Sequence, residues 1–346
     1  MVGPCEQQAD STREKKMDVV AIYSTQPYER QALTASCKGR WEQRFLLEGL
    51  HDKTALLATG ARVVSLFVED LADRQALQRL ADLGVGMVSL RCTGHDKVDL
   101  AAAEALGLTV TYVPGYSPHA VAEFALLLLL ALLRKLPQTE RRVQQHNFSL
   151  AGLEGLELRG RVVGVVGCGN IGRVFAELLI GCGATVLVYD PFVDPKNLPG
   201  EPVSLETLLA RSEIVSLHCP LVPATSQLIN ERSLSQMREG AFLINTGRGG
   251  LVDTNAVERA LASGKLAGFA MDVFEREQGL FFHDHSKNGV MDAQLQRLLE
   301  LPNVIVTGHQ AFLTQEALAE IAATEAENIA AFLGARQPPH VLHAGR

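Results

Sequence analysis

Short runs of apolar, β-branched residues recur along this chain with longer helix-period segments between them, and that alternation restricts the fold more than any other feature. DVVAIYS (18–24), ARVVSLFV (61–68), GMVSLRC (86–92) and LTVTYVP (108–114) are too apolar for strands with one wet face. They read as buried strands of a parallel sheet. A second series follows the Gly-rich segment AGLEGLELRGR (151–161): VVGVVG (162–167), TVLVYD (185–190), EIVSLHCP (213–220), AFLINTG (241–247), AGFAMDVF (267–274) and NVIVTG (303–308). Parallel strands need long crossovers, and the intervening segments supply helices, so this series describes a doubly wound α/β sheet of six strands. Between the two series PHAVAEFALLLLLALLRKL starts a long helix, with Pro118 suited to its first turn. Its uninterrupted apolar part, Phe124 to Leu133, is far short of the ~20 residues that span a bilayer. It reads as a buried or interface helix. A last amphipathic helix begins near Thr314 as N-cap and runs through Leu318, Ile321, Ala322, Ile329 and Phe332. Pattern alone leaves open which sheet it covers.

With 346 residues, 47% of them hydrophobic, the chain can bury two cores. Its net charge of -7 comes from interspersed acidic and basic residues with no basic block, so neither nucleic acid nor an anionic membrane surface is an expected partner. Cys5, Cys37, Cys92, Cys168, Cys182 and Cys219 form no CxxC pair and read as reduced thiols of a cytoplasmic protein. Residues 1–17 contain acidic residues and no apolar core, and match neither a secretory signal nor a transit peptide. They read as a tail.

Gly167-Cys168-Gly169-Asn170-Ile171-Gly172 is a GxGxxG that directly follows a strand and opens a helix. The first glycine permits the tight turn, the second admits a pyrophosphate to the backbone, and the third lets helix and strand pack closely. Asp190 ends the next strand, where a carboxylate accepts hydrogen bonds from adenosine ribose hydroxyls. It would repel a 2′-phosphate, and Pro191-Phe192 offers no arginine to hold one. The expected cofactor is therefore NAD. His218, Cys219 and Pro220 end the third strand of this series, on the edge where ligands bind in such sheets; Cys219 is expected to pack against the cofactor.

Three polar residues follow the next three strands. Arg248 lies among glycines in NTGRGG and offers a bidentate fork to a carboxylate. Glu277 follows the fifth strand in MDVFERE, and His309 the sixth in TGHQAF. A carboxylate beside an imidazole favours its protonated form and fixes its tautomer, which makes His309 a candidate proton donor. Hydride reduction of a ketone requires that donor, because negative charge develops on the oxygen. His283-Asp284-His285 lacks a wider ligand set and reads as a polar loop, so no metal is expected.

VVGCGNIG with Asp190, SLHCPL, INTGRGGLVD, MDVFERE and TGHQAF stand in an order and spacing that resemble the D-2-hydroxy acid dehydrogenases, over nearly the whole chain from about residue 18. LFFHDHS and TGHQAFLT look like the fermentative D-lactate dehydrogenase branch. The resemblance implies a catalytic triad of Arg248, Glu277 and His309, and two doubly wound parallel-sheet domains. A flavodoxin-like substrate domain would comprise residues 18–115 and 313–346 after the 1–17 tail, with a Rossmann NAD domain, 116–312, inserted, and the active site in the cleft between them. It implies that the backbone N–H groups of Thr93 and Gly94 in SLRCTGHD bind the substrate carboxylate, and that Tyr116 and Phe312 line the substrate pocket. It also implies Asn170 and Ile171 at the pyrophosphate, Asp190 at the ribose, Cys219 and Pro220 near the adenosine, and Thr246, Gly247, Arg248 and Asp272 toward the nicotinamide. The helix from Pro118 resembles a dimer-forming segment, so a homodimer or homotetramer is expected. Gly247 stands where many relatives carry serine.

The expected activity is reduction of pyruvate to D-lactate with NADH. A reductase of glyoxylate, hydroxypyruvate or a bulkier 2-oxo acid is the alternative, because a methylene in an apolar pocket is worth only about 1–3 kcal/mol. An NADH-sensing corepressor is the alternative of another class, since the C-terminal-binding proteins share the scaffold and the triad.

Overall fold

A computed structural model of the chain describes residues 17–344. Of the tail expected over residues 1–17 only Met17 falls within them, and Cys5 lies outside. The described residues form two compact units, one ending at Tyr116 and resuming at Leu318, the other Ser117–Ala317.

The first unit starts with β1 (Val19–Ile22), α1 (Arg30–Cys37), β2 (Glu42–Phe45), β3 (Val63–Leu66), α2 (Arg74–Asp82), β4 (Met87–Leu90), α3 (Leu100–Ala105) and β5 (Thr109–Thr111). Along β1 side chains alternate between two cores, as a strand of period two requires. Val19 and Ala21 join Val64, Leu66, Val88 and Leu90 under Leu77 and Leu80 of α2, whereas Val20 and Ile22 join Val63 and Met87 on the other face. Both faces are thus dry, which is why these strands are apolar throughout. β2 is absent from the sequence expectation because EQRF is polar and partly exposed; it pairs with β1 only, at the sheet edge.

The second unit contains α4 (Pro118–Leu133), α5 (Leu136–Gln144), β6 (Val162–Val166), α6 (Asn170–Gly181), β7 (Thr185–Tyr189), β8 (Glu201–Pro202), α7 (Leu205–Arg211), β9 (Ile214–Leu217), α8 (Glu231–Gln236), β10 (Ala241–Asn245), α9 (Thr254–Ser263), β11 (Leu266–Met271), α10 (Ala293–Glu300) and β12 (Val304–Val306). Its sheet has the order β12-β11-β10-β9-β6-β7-β8, with every pair parallel. The two-residue edge strand β8 makes seven strands instead of six, too short to leave an apolar run. The expected long helix from Pro118 breaks at Lys135, whose φ of 51° is left-handed. The apolar run of α4 faces two ways: Leu128, Leu129, Leu132 and Leu133 enter a core with Phe175 and Leu179 of α6, while Leu127 and Leu130 stay exposed. Among the described residues no helix is long and apolar enough to cross a membrane.

Thr314 accepts the Ala317 N–H on its hydroxyl at 3.1 Å and starts α11 (Gln315–Leu333). Ala322, Ala326 and Ile329 of this helix pack with Val20, Ile22 and Trp41, so the face left undecided by pattern belongs to the first series of strands. The chain then adds β13 (Val341–Leu342) to β5. That pair is antiparallel and adds an edge strand to the expected parallel sheet, whose order is β13-β5-β4-β3-β1-β2.

Candidate active site

The carboxyl ends of three neighbouring strands, β10, β11 and β12, carry Arg248, Glu277 and His309. Side-chain amides and carboxylates hold these turns in place. After β10 the Asn245 side chain accepts the Gly247 N–H at 3.1 Å and donates to the Arg248 carbonyl at 2.9 Å. This clip fixes the backbone that presents the half-buried Arg248, whose Nη1 donates to the Gly247 carbonyl at 2.9 Å. A Cβ on Gly249 would stand 2.1 Å from the Phe274 carbonyl carbon and 2.3 Å from the Glu275 nitrogen. Only glycine lets the Arg248 turn lie against the turn of Glu277.

Glu277 accepts the Phe274 N–H on Oε2 at 3.1 Å, which leaves Oε1 facing His309 Nδ1, also at 3.1 Å. Its neighbour Arg276 reaches Asp292 at 2.8 Å and Gln294 at 2.7 Å, tying this turn to the start of α10. Neither member of the pair is fully buried, with 18% of the Glu277 side chain and 13% of the His309 side chain exposed. An imidazole held through Nδ1 by a carboxylate presents Nε2 as its working nitrogen. The Phe282 ring lies 5.5 Å from the His309 ring.

His309 itself has φ 55°, a left-handed conformation that a residue with a Cβ adopts at a cost. The buried Asp272 holds it there. Its carboxylate accepts from the Thr307 hydroxyl at 2.6 Å and from the N–H groups of Gln310 and Ala311 at 2.9 and 2.8 Å, while its carbonyl accepts the His309 N–H at 2.7 Å. Burial raises the Asp272 carboxyl above the ordinary aspartate range, and these donors oppose the rise. Sequence reasoning assigned Asp272 to the nicotinamide; both its oxygens are engaged in shaping the histidine turn. The roles of Asn245 and Asp272 left no local signal beyond a polar residue at the end of an apolar strand.

The glycine-rich turn fits a dinucleotide. Gly167 has φ 89°, and a Cβ there would lie 2.6 Å from the Cys219 nitrogen; one on Gly172 would lie 2.0 Å from the Gly167 carbonyl oxygen. At Gly169, by contrast, nothing lies within 4 Å. The backbone is therefore open where a pyrophosphate would approach, at the N-terminal turn of α6 formed by Asn170 and Ile171. Asp190 accepts the Cys168 N–H at 2.7 Å and the Phe192 N–H at 2.9 Å, which places the ribose candidate beside the same turn. The buried hydroxyl of Thr246 has no hydrogen-bond partner among the described residues, so the carboxyl end of β10 also retains polar capacity.

His218 and Cys219 differ from each other. The His218 ring packs 4.8 Å from Phe175 and bonds Ser216 Oγ at 2.8 Å through Nε2. Burial pushes its pKa down to about 3. It is a neutral wedge between β9 and α6. Burial pushes the Cys219 thiol up to about 11, which suits packing and not nucleophilic chemistry. Pro220 is exposed beside it.

In the first unit, Thr93 and Gly94 follow β4, and the Thr93 hydroxyl donates to the Val113 carbonyl at 2.9 Å. No hydrogen bond among the described residues uses the N–H of either residue. Tyr116 is half-buried, and Phe312, in the second unit, is buried. Among the described residues no group of three His, Cys, Asp or Glu side chains is placed to hold a metal; His285 bonds the Leu280 carbonyl at 3.0 Å.

Comparison with known proteins places this geometry. Residues 126–311 match the model of the D-isomer specific 2-hydroxyacid dehydrogenase NAD-binding domain. A D-lactate dehydrogenase of Curvularia clavata is 43% identical over 316 residues, 90% of this chain and 91% of that protein. Among solved structures, the pyruvate reductase of Chlamydomonas reinhardtii superposes with a TM-score of 0.88 at 43% identity, covering 94% of this chain and 98% of that one. The apo D-lactate dehydrogenase of Escherichia coli gives 0.85 at 37% identity, covering 94% and 99%. With a matching NAD-binding domain and full-length relatives at this identity, the chain belongs to the D-isomer specific 2-hydroxyacid dehydrogenases, NAD-dependent oxidoreductases of small 2-hydroxy and 2-oxo acids.

Proposed function

We propose that this chain reduces pyruvate to D-lactate, with Arg248, Glu277 and His309 as its catalytic residues. The observation that carries the reading is the 3.1 Å pairing of His309 Nδ1 with Glu277 Oε1 on the strand edge that also bears Arg248. When bound, NADH supplies the hydride. Arg248 binds the substrate carboxylate and polarises the 2-oxo group. His309 delivers a proton from Nε2 to the developing alkoxide, and Glu277 stabilises the imidazolium and holds its orientation. In the reverse direction the same nitrogen takes the proton. Gly167, Gly169, Asn170, Ile171 and Gly172 receive the pyrophosphate and Asp190 the ribose, with Cys219, Pro220, Thr246 and Gly247 along the remaining cofactor edge.

The first unit is assigned as the substrate domain and the second as the NAD domain. Thr93 and Gly94 receive the substrate carboxylate through backbone N–H groups, and Tyr116 and Phe312 limit its side chain. The names of relatives that reduce pyruvate or act on D-lactate support the shortest substrate with a methyl group. A cytoplasmic homodimer or homotetramer is assigned from the exposed Leu127 and Leu130 of α4 and from reduced cysteines. Turnover with pyruvate, hydroxypyruvate, glyoxylate, phenylpyruvate and 2-oxoisocaproate, with NADH and NADPH, tests the assignment. Preference for any of the last four substrates refutes it, and NADH binding with no turnover of any 2-oxo acid favours a corepressor.

A further inference from the structure

The first unit buries a chain of charges that the reaction does not use. Arg91 follows β4 directly, and its side chain is fully buried. It donates from Nε and Nη2 to the two Glu29 oxygens at 3.2 and 3.1 Å, from Nη2 to the Tyr23 carbonyl at 2.8 Å, and from Nη1 to Ser65 Oγ at 2.7 Å. Ser65 in turn donates to Glu325 on α11. One guanidinium thus ties the ends of β1 and β4, the middle of β3, the start of α1 and the last long helix.

Stability does not explain such a cluster. Buried ion pairs lose so much hydration that apolar side chains of similar volume usually serve as well or better. Geometry offers an explanation. Thr93 and Gly94 stand two and three residues after Arg91, on a turn also tied by Cys92 Sγ to the Gly94 carbonyl at 3.1 Å, by Thr93 Oγ1 to the Val113 carbonyl and by the Val113 N–H to the Cys92 carbonyl at 3.2 Å. A rigid fork at the root of the turn sets where its free N–H groups point.

We infer that Arg91, braced by Glu29 and by Ser65 with Glu325, is a positioning residue that fixes the Cys92–His95 turn for the substrate carboxylate. This rests on the assignment of Thr93 and Gly94 made above. It acts through the turn and touches no reacting atom. Loss of the fork lets the N–H groups swing, which weakens ground state and transition state alike. The signature is a higher KM for the 2-oxo acid with kcat preserved.

The test uses the full chain with pyruvate and NADH, comparing Arg91→Met, Ser65→Ala and Gly94→Pro. Arg91→Met keeps volume and removes the charge, and Ser65→Ala removes one brace with little risk to folding. Both are expected to leave NADH affinity unchanged and to raise pyruvate KM, by about tenfold for Arg91→Met and less for Ser65→Ala, with kcat within about threefold. Gly94→Pro, which deletes one N–H, raises KM as well. If Gly94→Pro raises KM and the folded Ser65→Ala and Arg91→Met do not, the positioning role is wrong while the carboxylate turn stands. A silent Gly94→Pro removes the turn assignment and the inference with it. A fall in kcat at constant KM, the mark of a smaller active fraction, also overturns the inference.

Discussion

Glu325 is 3% exposed, and burial pushes its pKa from the ordinary 4.5 up to about 7, against the pull of Arg91 and the Ser65 hydrogen bond; the nearby Glu29 carboxylate adds to the rise. The folded chain therefore holds a proton at this site that the unfolded chain releases above pH 4.5. Stability is unaffected by Glu325 below that value, declines as pH rises through the window from 4.5 to about 7, and stays reduced above it. At 1.36 kcal/mol per pH unit the full loss is ~3 kcal/mol, of which ~2.5 kcal/mol falls between pH 5 and pH 8.5. Glu325→Gln resembles the protonated acid and does not titrate. At pH 5 it should be about 1 kcal/mol less stable than the parent, since an amide replaces an optimised partner. At pH 8.5 it should be more stable by roughly 1–2 kcal/mol, the difference between those two effects. Trp41 is the only tryptophan of the chain, is buried, and packs beside Ala322, Ala326 and Ile329 of the helix that bears Glu325. Its fluorescence in urea titrations at pH 5, 6, 7 and 8.5 reports unfolding of this unit apart from the other. Titrating groups remote from Glu325 cancel in the parent-minus-variant difference. A difference that stays constant with pH would refute the reasoning.

Gly249→Ala drives a Cβ into the backbone of Phe274 and Glu275, so kcat/KM for pyruvate should fall about 100-fold. Gly181→Ala, at the end of α6 with open space around it, should instead stabilise the chain by about 0.5–1 kcal/mol and leave kinetics alone; thermal melts and steady-state rates separate the two. Arg248→Lys keeps the charge and loses the fork, so pyruvate KM should rise at least about tenfold while NADH affinity, read by fluorescence titration, is retained; a matching loss of NADH binding would argue for a cofactor role alone. His218, at about 3 against an ordinary 6.5, remains neutral in the folded chain while the unfolded chain takes up a proton. Its contribution to stability is full above pH 6.5 and is lost as pH falls toward 3. His218→Asn should therefore lose about 2 kcal/mol less than the parent between pH 6.5 and 4.5 in denaturant titrations.

Much of this architecture is legible without coordinates because it is written in local pattern. Strands buried on both faces must be apolar at every position, so β1, β3, β4 and β6 announce themselves. A strand with an open edge need not be, and β2, with its polar EQRF, is silent. The glycine turn and the polar residues after β10, β11 and β12 are equally readable, since a short motif or a polar side chain at the end of an apolar strand stands out locally. Side-chain roles are less so. Asp272 looks like one more polar residue near the cofactor, and its engagement with Thr307, Gln310 and Ala311 appears only once two strands lie side by side.

The sequence by itself determined two wound α/β sheets, the glycine turn followed by Asp190, and the placing of Arg248, Glu277 and His309 after three successive strands, because each rests on periodicity or on a short motif. Only the tertiary structure decided that α11 covers the first sheet, that β13 runs antiparallel, that Asp272 strains His309 into φ 55°, and that Arg91 is braced through Ser65 to Glu325. Ser65 and Glu325 are 260 residues apart. No local preference along the chain encodes such a contact, which exists only because two buried faces exclude water around it.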